Sequence, residues 1–151
     1  MASLRATMKD SLSSPLSRHL ASRPAEISGG LSAYVATGAD FVSPADMVAL
    51  RQLLPQVRAK ASAVKDSVRL RKRVELLADF VVESSASTGP AQREAAFALY
   101  YFLKGYDLVP DSVPDVGLLD DALVVEAALR RNEHTLRAHW AQRHRAWPNE
   151  A

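Results

Sequence analysis

The sequence contains no cysteine, which excludes disulfide bonds, thiolate zinc sites and cysteine nucleophiles. No stretch approaches the ~20 apolar residues that a helix needs to span a bilayer. The longest uninterrupted apolar run is Ala95 to Leu103, and charged residues flank it on both sides. P-loop, dinucleotide-binding and Gly-x-Ser-x-Gly motifs are also missing, so no motif supports nucleotide binding or a serine hydrolase.

What is present is ordinary for a globular protein. The 151 residues are 48% hydrophobic and 24% charged, with a formal net charge of +2. This length fits one domain with tails, and the net charge is too small to indicate nucleic acid without a local concentration of basic residues. A cysteine-free chain suits the reducing cytoplasm, so we expect a cytoplasmic protein that is at most peripheral to a membrane.

Apolar residues recur at helical spacing over most of the chain, and no segment shows the alternation of a half-buried strand. The sequence therefore predicts an all-α fold, a small bundle of about four or five helices. Residues 1–42 show no sustained period and contain several Gly and Pro, so they are predicted to form a flexible N-terminal tail. A targeting segment is the alternative for residues 1–30. Residues 43–148 are predicted to form a single helical domain.

Capping and breaking residues set the expected bounds of the first helices in this domain. Ser43 and Asp46 form a variant of the capping box and predict a helix start, and Pro55 predicts a break or kink. From Gln56 onward, apolar steps of three and four predict one long helix without interruption, toward a loop that begins at Ser84.

The later helices are bounded in the same way. Pro90 predicts the start of a helix, which is expected to end at Gly105. A further helix is expected from Leu118 to about Arg131. Asn132 either ends it or is passed by a longer helix that stops at Pro148.

An Asp/Pro-rich turn lies between the two apolar helices, from Tyr106 to Gly117. The unit Asp-x-Val-Pro occurs there twice and a third Asp follows it. Asp accepts hydrogen bonds from nearby backbone N–H groups, each Pro disfavours helix at the preceding residue, and acids are favoured in the first turn of the next helix. The residues of this structural motif are Asp107, Pro110, Asp111, Pro114, Gly117, Asp120 and Asp121.

The hairpin at residues 95–131 resembles the YkvA-like bacterial domain of unknown function. The family pattern is an apolar helix, Asp-Leu-Ile-Pro-Asp, a second Ile-Pro, a Gly, and an Asp-Asp pair that opens another apolar helix. Gly105 stands where the family often has Pro. The resemblance implies a helical hairpin, a bacterial context and, in some members, membrane association, but no established reaction. The matching residues are Asp107, Leu108, Val109, Pro110, Asp111, Val113, Pro114, Gly117, Asp120, Asp121 and Ala122.

Several carboxylates in and after the turn are candidate metal ligands. Mg²⁺ and Ca²⁺ prefer several oxygen ligands from one loop, although the spacing here does not match an EF-hand. The alternative, which we favour, is that these residues cap helices and form turns. A divalent cation is therefore a candidate, and no cofactor is predicted. The candidate ligands are Asp107, Asp111, Asp120 and Asp121.

Basic residues concentrate in the segment 58–73, and a second basic region with two Trp residues follows at 130–147. Such composition suits an anionic membrane surface or a phosphate backbone. The alternative is the ordinary solvated face of an amphipathic helix. The candidate anion-binding residues are Arg58, Lys65, Arg69, Lys72 and Arg73.

Two further patterns carry weaker expectations. His134, His139 and His144 are spaced by five residues, which spreads them around a helix and predicts a solvated face rather than a metal site. The consecutive aromatic residues at 100–102 point in different directions around their helix. At least one of them is therefore expected to reach a second surface, on a partner or a membrane.

The sequence favours a non-enzymatic helical interaction module that docks on a partner protein or on an anionic membrane surface. The apolar helix pair, its basic flanks and the lack of a catalytic constellation lead to this interpretation. One alternative is a metal-dependent, hydrolase-like activity at the Asp cluster. The other is nucleic-acid binding through the basic helix 58–73.

Overall fold

The computed structural model describes residues 13–22, 29–65, 67–84, 89–108 and 114–148, of which 104–108 and 114–119 are described by their backbone alone. Seven helices and no strand occupy these ranges. The all-α prediction is confirmed, whereas the predicted number of helices is too small. The helices are α1 (Ser14–Ala21), α2 (Gly30–Asp40), α3 (Pro44–Ala63), α4 (Val68–Glu83), α5 (Pro90–Leu108), α6 (Pro114–Arg131) and α7 (Glu133–Gln142).

Helices α1 and α2 lie inside the segment 1–42, which the sequence predicts as a flexible tail. Leu16, Tyr34 and Val35 are fully buried. The His19 ring stacks on Tyr34 with centroids 4.4 Å apart, and His19 Nε2 lies 2.8 Å from the Tyr34 carbonyl oxygen. The tail prediction is therefore wrong for these two helices. Burial of a few side chains against the rest of the chain stabilises short helices whose own sequences show no clear period.

Asp46 links the start of α3 to the start of α1. The Ser43 hydroxyl accepts the Asp46 N–H at 3.1 Å, and the Asp46 carboxylate accepts the Ser43 N–H at 2.9 Å. The same carboxylate accepts the N–H and the hydroxyl of Ser13, at 3.1 and 3.0 Å. The predicted helix start at Ser43 is thus confirmed, and its capping carboxylate also fixes the N-terminal end of α1.

The boundary between α3 and α4 differs from the expected one. Helix α3 continues through Pro55, and the chain leaves the helix at Val64 instead. Exposed Pro55 stands between Leu54 and Val57, which are buried in the core, so packing outweighs the local cost of the proline. Ser67 caps the start of α4, and its hydroxyl accepts the Leu70 N–H at 3.1 Å.

Helix α5 is the central helix of the fold and packs against α1, α2, α3, α4 and α6. Every residue of its apolar run, Ala95 to Leu103, is buried. A helix that is apolar on all sides needs partners on all sides, and here it has them. The aromatic residues at 100–102 therefore do not reach a second surface as predicted. Tyr100 instead donates its hydroxyl hydrogen to the Asp46 carbonyl oxygen at 2.6 Å.

Helices α5 and α6 form the hairpin that the family resemblance predicts. Helix α5 continues past Gly105 to Leu108, and α6 begins at Pro114. The turn is therefore shorter than expected from sequence, and residues 109–113 lie outside the described part of the chain. Helix α6 ends before Asn132, as one of the two sequence alternatives predicts.

Candidate functional site at the hairpin and the start of α4

Asp121, in the Asp-Asp pair of the family motif, is 2% exposed and forms an ion pair with Lys60. The distance from Lys60 Nζ to Asp121 Oδ2 is 3.3 Å. Lys60 Nζ also donates to the Phe102 carbonyl oxygen and lies 4.4 Å from the centroid of the Phe102 ring. One ammonium group therefore joins α3 to both helices of the hairpin, and the charge of Asp121 is balanced by a cation of the protein itself.

The other candidate metal ligands do not join Asp121 in the described structure. The Asp120 side chain is exposed, and Asp120 is the seventh residue of α6, beyond the first turn in which the sequence places it. Asp107 is described by its backbone alone and Asp111 lies outside the described residues. Within the described ranges, no three His, Asp or Glu residues are close enough together to hold a metal ion.

The structural motif is described in part. Pro114 is the first residue of α6 and Gly117 lies within that helix, whereas Pro110 is outside the described residues. Pro at the first position of a helix loses no hydrogen bond, because the N–H it lacks would have no partner there.

Two further ion pairs tie α6 to neighbouring helices. Arg73 of α4 lies 3.1 Å from Glu126. Glu94 of α5 accepts two hydrogen bonds from the Arg131 guanidinium, at 2.7 and 3.2 Å, and these bonds raise the pKa of Arg131. Three charged contacts, to α3, α4 and α5, therefore hold the second helix of the hairpin in place.

The predicted anion-binding residues fall into two groups. Arg58 is paired with Glu75 and, at 3.0 Å, with Asp79. Arg73 is 6% exposed and bound to Glu126, so neither of these two arginines presents a free charge.

Lys65, Arg69 and Lys72 form the second group and are exposed. We call them, together with Val68, the basic surface. No acidic side chain in the described part of the chain lies within ion-pair distance of its three cations. Val68 is 44% exposed among them. The first turn of α4 contains no acid, although a helix macrodipole favours anions there, so the cations and the helix end repel one another.

A groove of about 380 Å³ adjoins the basic surface along α4. Its apolar lining includes Leu76 and Trp140, which are 2% and 4% exposed. Along α4 the lining runs from the cations Arg71 and Lys72 to the carboxylates Glu75, one turn beyond Arg71, and Asp79, about two turns beyond it. Pro148, after α7, completes the lining.

The Glu83 carboxylate is surrounded by three basic side chains, a contact that the sequence did not predict. His139 Nε2 lies 2.9 Å and Arg143 Nε lies 3.6 Å from Glu83 Oε1, which Arg145 also contacts. Burial acts to raise the pKa of Glu83, but the hydrogen bonds from His139 and Arg145 outweigh it and lower that pKa overall. The solvated face predicted for the histidines does not hold for His139. Its partner is 56 residues away, and no local pattern signals the contact.

The basic and aromatic residues near the C-terminus pack on one another. The Arg145 guanidinium lies 4.5 Å from the Trp140 ring centroid, and that of Arg137 lies 4.6 Å from the Trp147 ring centroid. The two indole rings are in edge contact at 5.8 Å. Cation–π contacts of this kind fold the segment after α7 back onto the helix, so the second basic region is mostly engaged within the chain.

Comparisons with known proteins bear on the hairpin alone. No helix in the described ranges is long and apolar enough to cross a membrane. No curated protein and no solved structure matches the chain. Residues 94–127 match the family model DUF1232, described as "Protein of unknown function", and they run from buried Glu94 in α5 to Ala127 in α6. The chain therefore contains a DUF1232 domain, the YkvA-like family of unknown function, over residues 94–127.

Proposed function

We propose that this protein is a non-enzymatic helical module that docks on an anionic membrane surface through the basic surface Lys65, Val68, Arg69 and Lys72. The observation that carries the proposal is the selective pairing of charge. Arg58 and Arg73, in the same basic segment, are paired with acids, while three neighbouring cations are left exposed around an exposed valine.

The energetics fit a weak and reversible contact. A Lys or Arg near an anionic lipid surface contributes ~1 kcal/mol, so three cations contribute about 3 kcal/mol. Val68 adds an apolar side chain that can enter the headgroup layer. Binding also relieves the repulsion between these cations and the positive end of the α4 macrodipole, since the first turn of α4 contains no acid.

The metal-dependent alternative has less support, because Asp121 is already paired with Lys60 and Asp120 points to solvent. The nucleic-acid alternative relied on the whole segment 58–73, of which Arg58 and Arg73 are occupied by acids. Duplex DNA is therefore an outcome of the test below.

The test is flotation with vesicles of phosphatidylcholine alone and of phosphatidylcholine with phosphatidylglycerol. We expect binding only to the anionic vesicles, weakening as salt is raised, since salt screens exposed charges over ~10 Å at 0.1 M. Arg69→Glu should reduce binding at least fivefold, because it replaces an attraction of ~1 kcal/mol with a repulsion of similar size. Val68→Ser should reduce vesicle binding below that of the natural protein even at high salt, where the apolar contact remains after the charges are screened.

Arg18→Glu is the matched control. Arg18 is exposed like Arg69 and the charge change is identical, but it lies on α1. Equal loss of binding in both variants would show that net charge alone matters and would contradict a localised surface. Salt-sensitive binding to duplex DNA without binding to anionic vesicles would replace the membrane with nucleic acid.

A further inference from the structure

The groove beside the basic surface has charges of opposite sign at its two ends. Arg71 and Lys72 lie at one end, and neither is within ion-pair distance of an acid in the described structure. At the other end, Glu75 and Asp79 share the single guanidinium of Arg58. Two carboxylates with one shared cation retain about one negative charge, and each is more than a third exposed.

The positions of these charges follow from α4. Glu75 is one helical turn beyond Arg71, a rise of ~5 Å along the helix, and Asp79 is one turn beyond Glu75. The Arg71 guanidinium donates one hydrogen bond, at 3.5 Å, to the Val64 carbonyl oxygen, and its other N–H groups remain for a ligand. Leu76 and Trp140, both buried, supply the apolar part of the lining. The groove has a volume of about 380 Å³ and is open to solvent, so a ligand there would be only partly enclosed.

We propose that this groove binds a phosphoethanolamine zwitterion, with the phosphate against Arg71 and Lys72 and the ammonium against Glu75 and Asp79. The two-carbon spacer between phosphate and ammonium matches the one-turn interval from Arg71 to Glu75, ~5 Å, and Asp79 adds a second carboxylate one turn beyond Glu75. An ammonium carries three hydrogen-bond donors, which the free lone pairs of the two carboxylates accept. A simple anion would leave the acidic end unsatisfied and would be repelled by it.

This proposal rests on the proposed membrane function, because phosphoethanolamine forms the head group of ethanolamine phospholipids. Lys72 belongs to both the groove and the basic surface, so a lipid bound in the groove lies next to the membrane contact. Binding itself is independent of any vesicle. It is therefore measured with a soluble head group, and the two proposals fail separately.

The experiment is calorimetric titration of the full chain with glycerophosphoethanolamine, glycerophosphocholine and glycerol phosphate. We expect glycerophosphoethanolamine to bind at least about tenfold more tightly than either of the others, since the choline cannot donate N–H bonds and glycerol phosphate lacks the cation. Equal affinity for all three, or no binding of glycerophosphoethanolamine, would overturn the proposal.

Two variants locate the site. Asp79→Asn removes a groove charge and should weaken glycerophosphoethanolamine about tenfold while leaving phosphatidylglycerol vesicle binding intact or stronger. Arg69→Glu should weaken binding to phosphatidylglycerol vesicles and leave the affinity for glycerophosphoethanolamine unchanged, because Arg69 does not line the groove. A thermal melt of each variant confirms folding. Should Asp79→Asn be unfolded, Glu75→Gln provides the same test, and unchanged affinity in the folded variant sinks the site. Binding to vesicles of ethanolamine phospholipid without binding to soluble glycerophosphoethanolamine would also contradict the proposal, because the groove is proposed to bind the head group without a membrane.

Discussion

The Asp121 carboxylate of the family motif lies 3.3 Å from the ammonium of Lys60, a residue of α3 that is 61 positions earlier in the chain. The side chains are 3% and 11% exposed, so the pair is shielded from solvent and couples the hairpin to the rest of the bundle.

Removing one partner of this pair should be costly. Asp121→Ala leaves the Lys60 charge buried without its partner, and loss of one member of a buried pair costs ~3–5 kcal/mol. Urea unfolding gives the free energy directly. The double variant Lys60→Met, Asp121→Leu should lose much less than the sum of the single variants, because no uncompensated charge remains. Additive losses would show that the two groups are not coupled.

The neighbouring acid Asp120 is the matched comparison. Its side chain is exposed and lies beyond the first turn of α6, so Asp120→Ala should change stability by no more than ~0.5 kcal/mol. This replaces the sequence-based expectation that Asp120 caps a helix. A loss as large as that of Asp121→Ala would mean that the Asp120 charge has a role that its exposure does not indicate.

Divalent cations provide the test of the metal alternative. With Asp121 held by Lys60, we expect Mg²⁺, Mn²⁺ and Ca²⁺ to leave the melting temperature unchanged. A bound ion would stabilise the folded protein by ~2.7 kcal/mol at a hundredfold excess over Kd. A shift of that size, abolished by Asp107→Asn or Asp111→Asn, would instead establish a site at the turn.

Gly38 allows α2 to approach the central helix. A Cβ at this position would lie 2.4 Å from Cε1 of Phe97, a ring that is fully buried. Gly38→Ala should therefore destabilise the protein by ~1–3 kcal/mol through overpacking, despite the better helix propensity of alanine. Denaturant unfolding measures the loss, and a smaller residue in Phe97→Leu should recover part of it. A more stable Gly38→Ala variant would mean that the ring moves aside freely.

Glu83 should make stability depend on acid pH. Its pKa is lowered in the folded protein below the ordinary value of 4.5, so its contribution is present above that value and is lost as pH falls through the folded pKa. Urea unfolding from neutral to acid pH should show this loss in the natural protein. In Glu83→Gln the acid dependence should be shallower, and an unchanged pH profile would show that the cluster adds nothing to stability.

Local features of the fold could be predicted from the sequence, whereas contacts between distant segments could not. The capping box at Ser43, the start of α5 at Pro90 and the hairpin follow from residues a few positions apart. The pairing of Lys60 with Asp121 and of His139 with Glu83 spans 61 and 56 residues, and no spacing rule connects them. The sequence likewise showed the basic segment, but it could not show which of its cations pair with acids from distant positions.

Pro55 and the N-terminal helices show the other limit. Proline and glycine each raise the free energy of a helix locally. Burial of the flanking residues decides whether the helix forms despite this cost. Tyr34 and Gly38 have meaning only once α5 is known to lie against them.

The segment that matches the family is smaller than the unit that folds around α5. Residues 94–127 comprise most of α5, whose run Ala95 to Leu103 is buried on every side, together with only one of the five helices that contact it in the described structure. Excised alone, this segment would expose to water the sides that α2, α3 and α4 cover, and a peptide of that length would associate with itself rather than form the hairpin. In this protein the family motif therefore marks the inside of a larger fold, and the matched residues do not by themselves cover the apolar surface of α5.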